Sequence, residues 1–272
     1  MVVWVQVSFL YRMVFGQNFS SIYRFIRLKN AHRLEIFVLL QTFHSMRFFN
    51  ILIFLLGIAR ISVAQELRIR PVFGSDTLEW GKDKYTSAKA ETMSFSSLEL
   101  YLSDFTWIDS SGKEVKEPGR VELLEAGDEK QNLSIAHSLG SLKRVCFRFG
   151  LDSATQVSGR MDGDLDPALG MYWAWNTGYI QCRLEGNSVS SKGKKGKFEF
   201  HLGGYSSPWA TDQNVCLDLT NPSINGKQDV FLDFKSMFDQ VSLKKTHSVL
   251  IPCEQARQLS HFLGSGFKSQ LQ

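Results

Sequence analysis

Leu98 to Trp107 reads LELYLSDFTW, and the face on which each of these residues falls decides the fold. Leu98, Leu100 and Leu102 alternate with Glu99, Tyr101 and Ser103. A period of two sends apolar and polar side chains to opposite faces of a β-strand. The same alternation recurs on both sides of this stretch. Leu67, Ile69 and Phe73 alternate with Arg68 and Arg70, and Val145, Phe147 and Phe149 with Cys146 and Arg148. Ile180, Cys182 and Leu184 alternate with Gln181 and Arg183, and Phe198, Phe200 and Leu202 with Glu199 and His201. Val215, Leu217 and Leu219 form one further face, and Val230, Leu232 and Phe234 another. Each set predicts a half-buried strand, apolar inward and polar outward.

Turn chemistry separates these runs at Ser110-Ser111-Gly112, Gly186-Asn187-Ser188, Gly203-Gly204, and Asn221-Pro222 to Asn225-Gly226. Seven or more short strands with such punctuation predict an all-β fold, an antiparallel β-sandwich. One helical stretch stands apart, CEQARQLSHFL from Cys253 to Leu263, with Ala256, Leu259 and Leu263 on one stripe. It is expected as a short C-terminal helix that caps an open end of the sandwich.

The first 64 residues follow a different grammar. Met46-Arg47 is a short basic start, Phe48 to Ala59 (FFNILIFLLGIA) is apolar, and Ser62-Val63-Ala64 fits a small-x-small cleavage site. That pattern predicts a signal peptide over 46–64 and a periplasmic or extracellular protein. The apolar run falls short of the roughly 20 residues that a transmembrane helix requires, so no transmembrane anchor is expected. Residues 1–45, basic and aromatic without an amphipathic period, are expected to be a mis-called start or an upstream extension. The exported domain is then 65–272. The chain as a whole carries a formal charge of +4; the first 64 residues supply +6 of it, with seven Lys/Arg against Glu35, which leaves −2. A domain so near neutrality has no electrostatic footprint for nucleic acid. The single basic run, KGKKGK at 192–197, is expected as a solvated hairpin loop. Four cysteines, Cys146, Cys182, Cys216 and Cys253, lie in the exported part, where one or two disulfides or buried thiols are all compatible with the spacing.

Chemistry is concentrated in GRMDGDLDPALGMYWAWNTGYI, Gly159 to Ile180. Asp162, Asp164 and Asp166 stand on alternate residues around a glycine. Such oxygens suit calcium, or else a turn tied by the carboxylates themselves. Trp173 and Trp175 would share one face of a strand, either as core or as a platform at a strand end. His201 lies on the polar face of its strand, just before Gly203-Gly204, as a metal ligand or an ordinary hydrogen-bonded histidine. His137, His247 and His261 have no ligand spacing. There is no HExxH, CxxC, GxSxG, P-loop or GxGxxG, and the expectation is a non-enzymatic protein.

Taken in order, LELYLSDFTW, the segment from Phe149 to Gly186, FHLGGY at Phe200 to Tyr205 and HSVLIPCEQA at His247 to Ala256 resemble the MbnP-like family of exported copper-binding proteins. That family is associated with the copper chelator methanobactin. The resemblance covers nearly all of Leu67 to Phe267, and its most specific piece is LDPxxGMYWAWNTGYI followed by LEG and HLGG. It implies an MbnP-like β-sandwich that binds or handles copper through histidine and a tryptophan-derived ligand. His201 matches the histidine of HLGG, and Trp173 and Trp175 match the WxW. In some relatives a partner haem enzyme oxidises a tryptophan to kynurenine. This chain departs from the pattern at Pro71, which stands where many relatives have a first-strand histidine; proline cannot ligate and suggests an edge strand. The competing expectation is a cell-surface ligand-binding or adhesion module with structural calcium and no copper site.

Overall fold

A computed structural model of the chain describes residues 65–271 apart from 83, 128–130, 176–177, 220–223 and 225. The upstream segment 1–45, the signal-peptide reading over 46–64, and Asn176 and Thr177 of the aromatic run lie outside the described residues.

In chain order the strands are β1 (Gln65–Phe73), β2 (Asp76–Thr77), β3 (Tyr85–Thr86), β4 (Thr92–Asp109), β5 (Glu114–Gly127), β6 (Gln131–Asn132), β7 (Ser134–His137) and β8 (Leu142–Phe149). They continue with β9 (Tyr172–Trp173), β10 (Gly178–Tyr179), β11 (Cys182–Ser188), β12 (Lys197–Leu202), β13 (Gln213–Asp218), β14 (Lys227–Asp233), β15 (Ser248–Val249) and β16 (Phe267–Lys268). Among the described residues three α-helices accompany them: α1 (Ser153–Val157), α2 (Lys235–Phe238) and α3 (Glu254–Gly264).

Two sheets form the sandwich. The smaller runs β16-β14-β1-β2, with β7 also on β1. The larger runs β13-β8-β4-β11-β12-β15, with β5 and β3 also paired to β4, and β6 to β5. Pairing is antiparallel except for β1 with β14 and β12 with β15. Strand β4 organises the larger sheet. Its residues 93–100 pair with β11 and 102–109 with β8, while β5 follows it from Ser97 to Ile108.

The inner faces of the two sheets meet in one apolar core. Leu67 and Ile69 of β1 and Val230 and Leu232 of β14 lie in it with Leu98, Leu100, Leu184 and Phe200 of the larger sheet. Phe95 sits among rings, with centroids of Phe234 at 5.1 Å, Phe238 at 5.3 Å and Phe198 at 5.9 Å. Helix α3 buries the expected stripe of Ala256, Leu259 and Leu263, and the Cys253 thiol caps it by accepting from the Ala256 N–H. Cys146 and Cys216 are joined across the β8–β13 pair, while Cys182 and Cys253 are free thiols.

Three local expectations are revised. Gly186-Asn187-Ser188 is not a turn but the end of β11, at a register shift between Glu185 and Gly186. A Cβ on Gly186 would meet the Ser94 carbonyl at 2.1 Å and the Phe198 ring at 2.5 Å, so this glycine serves close strand approach rather than a reversal. Pro71 does not mark an edge strand, since β1 has β14 on one side and β7 and β2 on the other. Its carbonyl accepts from Leu78 N–H, and β7 pairs only as far as Arg68 while β2 begins at Val72. A residue without an N–H fits that gap between two short partners.

The third revision concerns the outward face of the larger sheet, which is not open to water around Tyr101. Residues 151–175 and 178–181 fold over it and build a second apolar cluster of Tyr101, Leu123, Leu151, Leu165, Met171, Trp173, Tyr179 and Ile180. Among the described residues no helix is long and apolar enough to cross a membrane.

Candidate metal centre

The covering segment is built from its own sequence. Asp152 caps α1 by accepting from the Thr155 N–H at 2.6 Å, and Gln156 of that helix holds β10, its Oε1 accepting from Tyr179 N–H at 2.7 Å. The aspartate run then makes two short 3-10 turns, Gly163–Leu165 and Pro167–Leu169. Asp164 Oδ2 accepts from Leu123 N–H at 2.8 Å, and its carbonyl accepts from the Tyr101 hydroxyl at 2.9 Å. Asp166 caps the second turn by accepting from Ala168 N–H at 2.8 Å. Asp162 precedes the first turn without a side-chain cap bond. Two of the three carboxylates thus act as backbone acceptors that fasten the segment to β5 and close its turns. The Tyr179 hydroxyl donates to the carbonyls of Gly159 and Leu165, at 3.0 and 2.9 Å, and closes the loop on itself.

The aromatic run is a hairpin, not one long strand. Only Tyr172 and Trp173 are extended, paired with Tyr179 and Gly178, and Ala174 and Trp175 already lie in the turn. The two indoles therefore have different environments. Trp173 is 6% exposed and Trp175 62%, with ring centroids 5.6 Å apart.

The Gly-Gly element explains where Trp173 goes. A Cβ on Gly203 would lie 2.6 Å from Trp173 Cζ3 and 2.8 Å from Cη2, so the six-membered ring rests on bare backbone. Gly204 has φ +135° and passes close to the Trp209 carbonyl, and Trp209 is itself partly exposed. The buried amide of Gln181 links the two loops, donating to the Gly204 carbonyl at 2.9 Å and accepting from Leu151 N–H at 3.3 Å.

His201 stands on β12 two residues before Gly203. Gly203 lies just beyond the last strand residue, Leu202. Opposite His201 on β11 is Arg183. The guanidinium is turned away, donating to both oxygens of Glu99 at 3.0 and 2.8 Å and to the Gly170 carbonyl at 3.3 Å. The imidazole instead meets Glu185, with Nε2 2.8 Å from Oε1. Glu185 Oε2 is 2.8 Å from Lys197 Nζ, which also reaches Glu199 at 2.7 Å. The hydrogen bond from His201, followed by that from Lys197, brings the Glu185 carboxyl down to about 2.

Of the residues singled out by the sequence, Trp173 and Trp175 are in ring contact, and Trp173 is seated against Gly203, two residues along the chain from His201, whose imidazole meets Glu185. Asp162, Asp164 and Asp166 belong to the covering segment. Among the described residues no group of three or more His, Cys, Asp or Glu side chains is placed to hold a metal ion. Glu185 is the participant the sequence did not single out, and Gly203 was read there only as part of a Gly-Gly turn. The signal for Glu185 was its place two residues beyond Arg183 on the polar face, which pointed to the right face but not to its neighbour across the sheet.

The fold and this face define a class: a two-sheet β-sandwich with a covering hairpin whose buried tryptophan is seated on the Gly203 backbone. The MbnP family model matches residues 62–254, and the chain belongs to the MbnP family. Among solved structures it is similar to MbnP from Methylosinus trichosporium, at 15% identity and a TM-score of 0.52, over 71% of this chain and 86% of that one. No curated relative matches in sequence.

Proposed function

We propose that this protein is an exported, non-enzymatic copper-binding or copper-handling member of its family, with the site on the outer face around His201, Trp173 and Trp175. The observation that carries the reading is the seating of the Trp173 ring on Gly203, two residues along the chain from His201. Imidazole suits copper on ligand-type grounds. An unmodified indole offers only an N–H donor, so the second donor would come from an oxidised tryptophan of this pair, installed by a partner haem enzyme. Pro71 supplies no ligand, and it lies buried in β1 of the other sheet. Of His201, Trp173 and Trp175 only the imidazole is a copper donor as it stands, so this reading requires a tryptophan-derived group. When bound there, the metal would supply electron-pair acceptance and a one-electron redox couple; the chain supplies the imidazole, its orientation and a packed floor.

Titration of the purified protein with Cu(I) and Cu(II), with and without prior tryptophan oxidation, tests the site. Binding that weakens at least tenfold in His201→Ala is the expected result, and affinity unchanged by that substitution overturns it. Export from the leader at 46–64 is tested by the intact mass of the secreted chain. The second reading, a surface ligand-binding module with structural calcium at Asp162, Asp164 and Asp166, draws on the 62% exposure of Trp175. It requires a melting temperature raised by calcium and indifferent to copper.

A further inference from the structure

We propose that one end of the sandwich is a docking surface for anionic phospholipid head groups, an inference independent of the copper reading. Three segments meet at the end where β4 begins: 74–91, 189–197 and 234–247. Ser188, the last residue of β11, pairs with Met93, and its hydroxyl donates to the Thr92 carbonyl at 2.6 Å. Tyr85 of the first segment pairs with the same Met93. The first and third segments are tied by the Ala88 N–H, which donates to Asp239 at 2.8 Å, and by Glu91, which accepts from the Ser242 hydroxyl and the Leu243 N–H. The hairpin between β11 and β12 is held as well. Ser191 Oγ donates to the Lys197 carbonyl at 2.6 Å and accepts from the Gly193 N–H at 3.0 Å.

Charge is sorted onto this end. The three segments hold ten lysines against five carboxylates, a formal +5; since residues 65–272 sum to −2, everything else in them carries −7. Glu79 is paired with Lys84 and Asp239 with Lys235, and Glu91 is buried under its own hydrogen bonds. Among the described residues, seven exposed lysines of these segments are in no ion pair. Lys82 and Lys89 lie on the first segment, Lys192, Lys194 and Lys195 on the second, and Lys244 and Lys245 on the third. Lys89 and Lys245 line one cavity of about 330 Å³, together with Gln240 and Gln255. An ammonium is a compact point charge that meets phosphate without the fixed fork of arginine, and each lysine near an anionic leaflet strengthens attachment about fivefold. Two observations favour a bilayer over a soluble polyanion. Val189, 95% exposed, stands three residues before Lys192, and an apolar side chain among cations suits shallow insertion at the head-group boundary. No ring of these segments is offered to stack on nucleic-acid bases, since Tyr85, Phe234 and Phe238 are buried and Trp80 packs on the core.

Cosedimentation of the purified protein with lipid vesicles tests the surface. Binding to mixed phosphatidylcholine–phosphatidylglycerol vesicles is expected, weaker on pure phosphatidylcholine and falling steeply as salt screens the charges. Residues 1–64 are themselves basic and apolar, so the decision lies with variants of the loops. Lys194→Gln combined with Lys195→Gln should weaken binding about 30-fold at an unchanged melting temperature. Lys113→Gln combined with Lys143→Gln removes the same charge from the other end of β4, where Lys113 closes on Asp109 and Asp109 pairs with Leu142. That pair should leave binding within about twofold, since its charges lie beyond the screening length from the surface. Val189→Ser should weaken binding while leaving its salt dependence unchanged. No binding to the mixed vesicles, or equal effects of the two lysine pairs, overturns the inference. So does tighter binding to heparin or duplex DNA than to vesicles, untouched by Val189→Ser, which would assign this end to a soluble polyanion.

Discussion

The two faces of the sheet formed by β4, β11 and β12 obey the same alternation and do opposite things. On the inner face Leu98, Leu100, Leu184 and Phe200 are fully buried against the second sheet. On the outer face Glu99, Tyr101, Arg183, Glu185 and His201 are arranged in ion pairs and under a covering segment. The inner face is held by area and shape, where almost any apolar residue of the right volume serves. The outer face is held by specific partners, where each group has one acceptor or donor and few substitutes. Stability should therefore concentrate on the first face and chemical specificity on the second.

The largest test of that contrast is Phe95→Ala. This ring is 0% exposed and packed among Phe73, Tyr85, Phe198, Phe234 and Phe238. Its removal is expected to cost about 3–5 kcal/mol in chemical denaturation. A loss below about 1 kcal/mol, well under that range, would mean that the inner face does not dominate.

Gly203→Ala tests the seam between the faces. The new methyl would lie 2.6 Å from the Trp173 ring and 3.0 Å from the Tyr179 carbonyl, and the carbonyl is backbone that cannot swing aside. The expected cost is about 1–3 kcal/mol. Altered tryptophan fluorescence or near-UV dichroism should accompany it as the indole leaves its seat. A stable variant with native tryptophan spectra would show that Trp173 does not rest on this glycine.

Acid should act on the outer face. Glu185 is held at about 2, below the usual glutamate value of 4.5. A depressed carboxyl stabilises the fold above its unfolded value, and that stabilisation is lost as pH falls through the folded value. Between about pH 4.5 and pH 2, Glu185→Gln should therefore show a shallower loss of stability than the unsubstituted protein. The difference is expected to be on the order of 2 kcal/mol, less than full linkage because solvent still reaches the pair. Parallel acid denaturation curves would remove Glu185 from the account.

How far the sequence could reach follows the same divide. Period-two alternation placed the inward residues of β1, β4, β8, β11, β12 and β14, because burial against a flat second sheet imposes that period directly. It mis-set Tyr101, which alternation put in water and which is 0% exposed. What covers it is a segment some sixty residues away in the chain, tied through Asp164, and no local pattern encodes that docking. Gly186 failed for a related reason, since its neighbours Ser94 and Phe198 come from two other strands. The candidate site was legible as residue types at His201, Trp173 and Trp175. The seat of Trp173 depended on the bare surface of Gly203 and the partner of His201 on the β11–β12 register, neither of which shows as periodicity.

Tyr101→Phe narrows the comparison to one bond on the outer face. The ring stays buried and edge-on to Tyr179, at 6.0 Å, and only the hydroxyl's bond to the Asp164 carbonyl is lost. About 1 kcal/mol is the expected cost, with faster proteolysis within 159–170 if this bond helps fasten the covering segment.

The smallest effect should come from Trp175. It is the same residue type as Trp173 and in ring contact with it, yet 62% exposed. If stability followed composition, Trp175→Ala and Trp173→Ala would cost alike. If it follows burial, Trp173→Ala should cost about 3–5 kcal/mol and Trp175→Ala should stay within about 0.5 kcal/mol. An indole that contributes little to folding in that test would be available to a group outside the chain. Equal losses in the two variants would tie Trp175 to the core and remove that argument.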